Sequence, residues 1–206
     1  APFIKLAGKP LLWYTLNEVQ KAKALDRVVI TSEDDDILEY VRQFKDVITL
    51  KRPIEMAKSI SKIEDTALYV LEYMKKEVAY EPDAVCILYI TTPLRKYYHI
   101  DKAVDTMTIF NIDSVISVQE ELSYCYFHRK YGLEPINNSK RDLRIEREAI
   151  YKENGAIYIS RTNVIREGRL LGKKIGHIIM LPEESIKINT DFDLWMVEKI
   201  ITEWEE

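Results

Sequence analysis

YKENGAIYIS, Tyr151 to Ser160, is the stretch on which the fold of this chain turns. Ala156, Ile157 and Ile159 give it the apolar character of a buried strand, while Glu153, Asn154 and Gly155 set a carboxylate, a carboxamide and a permissive backbone position at the strand's mouth. A buried strand that opens on a polar kink points to a ligand edge.

Outward from this strand, helix-period and strand-like segments alternate. Leu12, Leu16, Val19 and Ala22 share a helical face after Pro10, and Arg27 to Ile30 reads as a short buried strand. Ser32 or Glu33 is positioned to open the next helix, which carries Ile37, Tyr40, Val41 and Phe44, before a strand at Val47 to Leu50. Ile63, Ala67, Val70, Leu71 and Met74 make a further helix face. Ala84 to Ile90 is a continuous apolar run of the kind buried on both faces of a parallel sheet. A helix near His99 to Phe110, strand-like runs at Ser114 to Val118, Ala156 to Ile159 and Ile175 to Met180, and a closing helix complete the order. The pattern predicts one α/β domain over residues 1–206, a layered sheet with helices on both faces. In such sheets ligands bind beyond the carboxyl ends of strands. The polar turns Thr31 to Asp34, Lys51-Arg52-Pro53 and Thr91 to Arg95 all fall there.

Composition narrows the partners. The 206 residues suffice for one sizeable core, and 30 basic against 34 acidic side chains give a net charge of -4. Those totals give no ground for a nucleic-acid or anionic-membrane partner. Cys86 and Cys125 are far apart and form no CxxC pair, which fits a reducing compartment, the cytoplasm by default. No apolar run approaches the roughly 18 residues needed to span a bilayer. The chain opens at Ala1 and runs at once into LAGKPLLWYTL, so a preceding segment is expected.

The polar turns carry a family resemblance over most of the chain. ENGAIYI within Tyr151 to Ser160, LAGKPLL at 6–12, VVITSEDDDI at 28–37, KRPIEMA at 51–57, LYITTPLR at 88–95 and SIKINTDFDL at 185–194 resemble, in order and spacing, elements of the acylneuraminate cytidylyltransferases. These enzymes make CMP-activated sialic acids and related sugar acids. The resemblance implies a three-layer, nucleotidyltransferase-like (Rossmann-like) fold, CTP and a sugar acid as substrates, release of pyrophosphate, and magnesium. It also implies a homodimer built on an insert near residues 126–147. By the same resemblance Gly8 and Arg52 face the nucleotide, Arg144 lies near the sugar acid or phosphate, and Tyr89, Thr91, Asn154 and Tyr158 face the sugar acid.

The chain also departs from that pattern. The family opens with a strand and a Gly/Arg/Lys-rich loop whose N–H groups and basic side chains cradle the triphosphate. That element is absent here, Pro2 stands where its asparagine would fall, and none of the six glycines forms a phosphate-loop motif. The two family carboxylates that serve metal fall on Lys187 and Asn189, which removes two anionic oxygens from a hard cation. Asn189 and Asp191 are the remaining metal candidates, and Lys187 is a candidate fixed cation for phosphate. Thr190 and Asp193 fit a helix capping box. The family glutamine and first proline become Tyr89 and Ile90, so substrate choice does not carry over.

Other chemistry finds little support in the residues. His99, His128 and His177 are isolated, and the acidic run Glu33 to Asp36 suits a helix start. An Arg before Pro is commonly a turn residue, Asn-Gly commonly a turn, and Tyr158 is open to a packing role. Two readings remain: a cytidylyltransferase with a diverged site, and a non-catalytic sugar- or nucleotide-binding protein on the same fold.

Overall fold

The computed structural model describes residues 2–57, 62–136 and 149–204. A short hairpin, β1 (Lys5–Leu6) and β2 (Lys9–Pro10), leads into α1 (Leu11–Val19). β3 (Val28–Ser32) and β4 (Val47–Lys51) pair in parallel around α2 (Asp35–Val41). A 3-10 turn at Ile54–Ala57 precedes α3 (Ile63–Glu77), β5 (Ala84–Ile87) and α4 (Tyr97–Phe110). Then come β6 (Ser114–Glu121), the hairpin β7 (Tyr126–Arg129) and β8 (Gly132–Pro135), and β9 (Ile150–Arg161). The short α5 (Thr162–Arg166), β10 (Ile175–Ile179) and α6 (Asp191–Glu203) close the chain.

The largest sheet has the order β10-β6-β9-β5. β10 runs parallel to β6, whereas β9 is antiparallel to both β6 and β5. The layered α/β expectation holds, but the parallel setting inferred for Ala84 to Ile90 does not. An apolar run reports burial on two faces and carries no direction. Those two faces are visible at β5. Ala84 and Cys86 pack on the core of α4, β6 and β9 around Ile100, Ala103 and Val115, while Val85 and Ile87 pack on Ala67, Leu71 and Ile165 of α3 and α5. The strand ends at Ile87 rather than Ile90, because the chain then turns through Tyr89, whose carbonyl accepts from Thr92 Oγ1 at 3.0 Å.

Helix ends follow local chemistry. Asp34, one residue beyond the predicted Ser32 or Glu33, caps α2 by accepting the Asp36 N–H at 2.9 Å, and Asp35 and Asp36 fill the first turn. The α4 face repeats at His99, Ile100, Ala103 and Met107, all buried. α6 lays Val197 and Leu194 against Leu6, Leu11 and Leu94.

Two strands are each paired on one side only. β3 is paired only through β4 and β5 only through β9 among the described residues. Both lie over α1: Val28 shares a core cluster with Val19, Ala84 and Cys86, and Ile30 shares one with Leu12, Leu16 and Ile90. At their starts, Tyr80 donates to Asp26 at 3.4 Å. At their ends, the buried hydroxyls of Thr31 and Thr91 have no partner among the described residues.

The ladder between β6 and β9 breaks where the sequence predicts its kink. Pairing passes from Ile116–Tyr158 to Val118–Glu153, so Ser117 alone faces the span from Asn154 to Ile157. Gly155 turns through the left-handed region at φ 72. The bulged backbone is satisfied by side chains. Asn154 Oδ1 accepts from the Ala156 N–H at 3.0 Å and from Ser117 Oγ at 2.6 Å, and Ser117 Oγ accepts the Ile157 N–H at 2.8 Å.

Two stability measurements check this framework. Asn154→Ala deprives the buried Ala156 N–H of its acceptor, so denaturant unfolding should show a loss of about 1–3 kcal/mol. A loss below about 0.5 kcal/mol, the usual size of a surface change, would contradict the bulge's dependence on this side chain. His99 is buried, takes the Lys96 N–H on Nδ1 at 3.0 Å and places Nε2 3.2 Å from Glu184. Burial lowers its pKa in spite of Glu184. The unfolded chain therefore takes up a proton, near the ordinary pKa of about 6.5, that the folded chain resists. The contribution is full above that value and is lost as pH falls toward the folded one. The melting temperature should fall between pH 7.5 and 5.5, and His99→Gln should flatten that slope; equal slopes would contradict it.

Candidate active site

The bulge aims a small set of side chains at the carboxyl end of β5. Tyr158 and Tyr89 meet edge to face with centroids 5.9 Å apart, and the Tyr158 hydroxyl donates to Glu153 at 3.0 Å. Lys187 lies over the Tyr89 ring, its Nζ 5.7 Å from the centroid, within cation–π range. A Cβ on Gly155 would stand 3.8 Å from Lys187 Nζ and 3.9 Å from the Tyr158 hydroxyl, so both polar groups gather over bare glycine backbone. The segment bearing Lys187 is tied to the turn after β5 by Ile188 N–H donating to the Thr91 carbonyl at 2.8 Å.

Burial raises the Tyr158 phenol strongly, with the Glu153 hydrogen bond and charge adding to it. Tyr89 is raised as well, by burial first and then by Glu64. Both are neutral hydroxyls near neutral pH; the proton of Tyr158 is engaged by Glu153, and that of Tyr89 is suited to donation. Among the described residues no carboxylate forms an ion pair with Lys187. Its positive charge is held by an aromatic face and is open to an anion.

Asn154 stands behind this group. Besides its two acceptor bonds in the bulge, it donates to Ser185 Oγ at 3.0 Å and to Met180 Sδ at 3.3 Å. A carboxamide's hydrogen-bonding capacity is thereby engaged within the protein, at 6% exposure. In this geometry it positions the strand beneath Tyr158.

Arg95, which closes the LYITTPLR stretch, is the most deeply placed cation of the region, 1% exposed. It donates to the carbonyls of Tyr89 at 3.1 Å and Ala156 at 2.8 Å, and to the hydroxyls of Thr92 at 3.2 Å and Thr15 at 2.9 Å. Burial lowers its pKa to about 10, which keeps it charged at neutral pH. The guanidinium therefore joins the turn carrying Tyr89 to the bulge of β9. Nothing in the spacing of the sequence marks it as buried.

The other predicted residues lie elsewhere or are engaged. Arg52, at the end of β4, directs Nε and Nη2 to one oxygen of Glu33 at 3.1 and 2.9 Å. The backbone hydrogen bond at Glu33, and then Arg52, hold that carboxyl below its ordinary range. Gly8 turns the β1–β2 hairpin at φ 78, beside an Ala7 N–H that donates to Glu198 at 2.9 Å. Arg144 lies outside the described residues.

The metal expectation finds a poor donor set. Asp193 is committed to the α6 cap, where Oδ2 accepts the N–H groups of Asn189 and Thr190 at 2.9 and 2.8 Å, and the box with Thr190 is complete. Those bonds hold its carboxyl below the ordinary range. Asn189 and Asp191 are both exposed. Among the described residues no group of three or more His, Cys, Asp or Glu could hold a metal ion. A cation at this segment would meet Lys187, with only the exposed Asp191 carboxylate in residues 187–191 to bind it.

Known proteins resemble the chain in sequence and in fold. Over 201 residues the chain is 28% identical to the N-acylneuraminate cytidylyltransferase of Oncorhynchus mykiss, covering 93% of this chain and 44% of that protein. It is 26% identical over 203 residues to the CMP-N,N'-diacetyllegionaminic acid synthase of Legionella pneumophila, covering 95% and 87%. The chain thus spans less than half the length of the Oncorhynchus relative, and likewise 44% of a Danio rerio relative. In fold it is similar to a CMP:2-keto-3-deoxy-manno-octonic acid synthetase solved with CTP, at TM-score 0.70 and 14% identity over 97% of this chain and 90% of that one. It is also similar to the 4-diphosphocytidyl-2C-methyl-D-erythritol synthase of Anaerococcus prevotii, at 0.68 and 13% over 97% and 89%. The cytidylyltransferase profile matches residues 2–179. With that match running from the first hairpin to the end of β10, the chain belongs to the cytidylyltransferase family.

Proposed function

We propose that the complete protein transfers CMP from CTP to a sialic-acid-like or other 2-keto sugar acid and releases pyrophosphate. The observation that carries this reading is the cluster of Tyr89, Tyr158 and Lys187 over Gly155, on segments that match the family in order. In the reaction the sugar's anomeric oxygen forms a bond to the α-phosphorus, its proton leaves, and the bond to pyrophosphate breaks. Charge develops on phosphate oxygens, and pre-placed donors and cations stabilise it. Tyr89 supplies a hydrogen-bond donor to the sugar acid, Tyr158 does so on exchanging its Glu153 partner for substrate, and Lys187 supplies charge. Arg52 serves the nucleotide by exchanging its Glu33 partner for phosphate, Gly8 borders the nucleotide, and Arg144 and Thr91 contribute to the acid side. Magnesium, which supplies Lewis acidity in such transfers, requires ligands other than the 187–191 segment. The altered segment is also what favours a second reading, a sugar or nucleotide binder without turnover.

The family's opening strand and basic loop have a place between β3 and β5, where both edges lack partners among the described residues. Such a strand would bring its loop to the rim bearing Thr31 and Thr91. The exposed β7–β8 hairpin, with Tyr126, Phe127 and Leu133 at its surface, supports a homodimer. Free thiols at Cys86 and Cys125 suit the cytoplasm. No helix among the described residues is long and apolar enough to cross a membrane.

Nucleotide selectivity tests the reading. CTP should raise the melting temperature of the complete protein more than ATP or GTP, with ligand at about 100 times its dissociation constant contributing about 2.7 kcal/mol. A panel of sugar acids with CTP should then identify the acceptor by pyrophosphate release. Equal shifts with all three nucleotides would remove the cytidine assignment, and release without any acceptor preference would remove the sugar acid.

A further inference from the structure

The segment 185–190 holds a cation where the resemblance expects a carboxylate for metal. Lys187 Nζ is 5.7 Å from the centre of the Tyr89 ring and near the Tyr158 hydroxyl over the bare Gly155 backbone. Its backbone neighbour Ile188 is fixed to Thr91, and Ser185 to Asn154, so both flanks of the lysine are anchored. Of the carboxylates around it, Glu153 accepts from Tyr158 and Asp193 accepts from the α6 cap, while Glu64, whose charge bears on Tyr89, and the exposed Asp191 form no ion pair with it. Among the described residues the lysine is left as a tethered ammonium without an ion-pair partner, over the Tyr89 ring, a group that favours anionic oxygen over a divalent cation.

We propose that Lys187 forms a direct anion site for this protein's substrates, in the position where the resemblance places a metal-binding carboxylate. Resting on the proposed cytidylyl transfer, this reading has the ammonium meet substrate oxygen without an intervening metal. The ligand chemistry is an oxyanion, supplied by the polyphosphate or by the sugar acid's carboxylate. Gly155 leaves bare backbone beside the ammonium, and its left-handed backbone conformation disfavours any side chain there.

Titration calorimetry on the complete protein in excess EDTA, with inorganic pyrophosphate and separately with N-acetylneuraminate, decides the matter. Native protein should bind at least one probe, and Lys187→Ala should weaken that binding tenfold or more, while Lys187→Arg retains most of it. Loss confined to pyrophosphate assigns the site to polyphosphate, and loss confined to the sugar acid assigns it to the carboxylate; either supports the proposal. Lys187→Asp combined with Asn189→Asp should make pyrophosphate binding depend on magnesium. Lys187 is exposed, so unchanged melting temperatures should accompany these variants and separate lost binding from lost fold. Binding of neither probe in EDTA, or affinities unaffected by Lys187→Ala, would overturn the proposal. Equal stabilisation by CTP, ATP and GTP beside a lysine-dependent pyrophosphate site would leave this inference standing and remove the cytidine assignment; CTP selectivity with unaltered Lys187→Ala affinities would do the reverse.

Discussion

The 2.6 Å hydrogen bond from Ser117 to Asn154 is the constraint on which the site depends. β9 leaves its ladder with β6 inside the core, where Ala156 and Ile157 are fully buried. Their N–H groups have no neighbouring strand to serve them, and an unmet buried donor costs about 1–3 kcal/mol. Asn154 and Ser117 meet both donors and each other. The bulge is thereby a defined conformation, and the directions of Glu153 and Tyr158 on either side of it follow.

The freed Ala156 carbonyl completes the account, because Arg95 takes it. A buried guanidinium is costly unless its N–H groups find acceptors; the two terminal nitrogens of Arg95 find them on the bulge, on the turn after β5 and on α1, while its Nε has no partner among the described residues. Tyr89 is held where it can face both Tyr158 and Lys187. Sheet, turn and the segment before α6 are thus coupled through hydrogen bonds to backbone groups, with the chemistry-bearing side chains at the surface of that network.

Some of this was legible in the sequence. The alternation of helix-period faces with short apolar runs showed the layered order, and a Gly after Asn inside an apolar strand showed the kink. The box at Thr190 and Asp193 was legible because capping is local. Strand direction was not: Ala84 to Ile87 is apolar on both faces whichever way its neighbour runs. The role of Asn154 also escaped, since its partners Ser117 and Ser185 are remote in the chain and nothing near Asn154 announces a buried acceptor. For Arg95, a Pro-Leu-Arg turn reads as surface, and only tertiary packing buries it. At the site, Lys187 stood out because it falls where the resemblance places a carboxylate, whereas its setting against Tyr89 and Gly155 is a product of the fold.

The central claim, that Asn154 and Ser117 hold the bulge that orients the site, is tested most directly by amide hydrogen exchange at Ala156 and Ile157. Both amides should exchange as slowly as the paired amides of β6 and β9, and Ser117→Ala should release Ile157 while leaving distant β10 amides protected. Rapid exchange at Ala156 and Ile157 in the native protein, or protection unchanged by Ser117→Ala, would contradict the account.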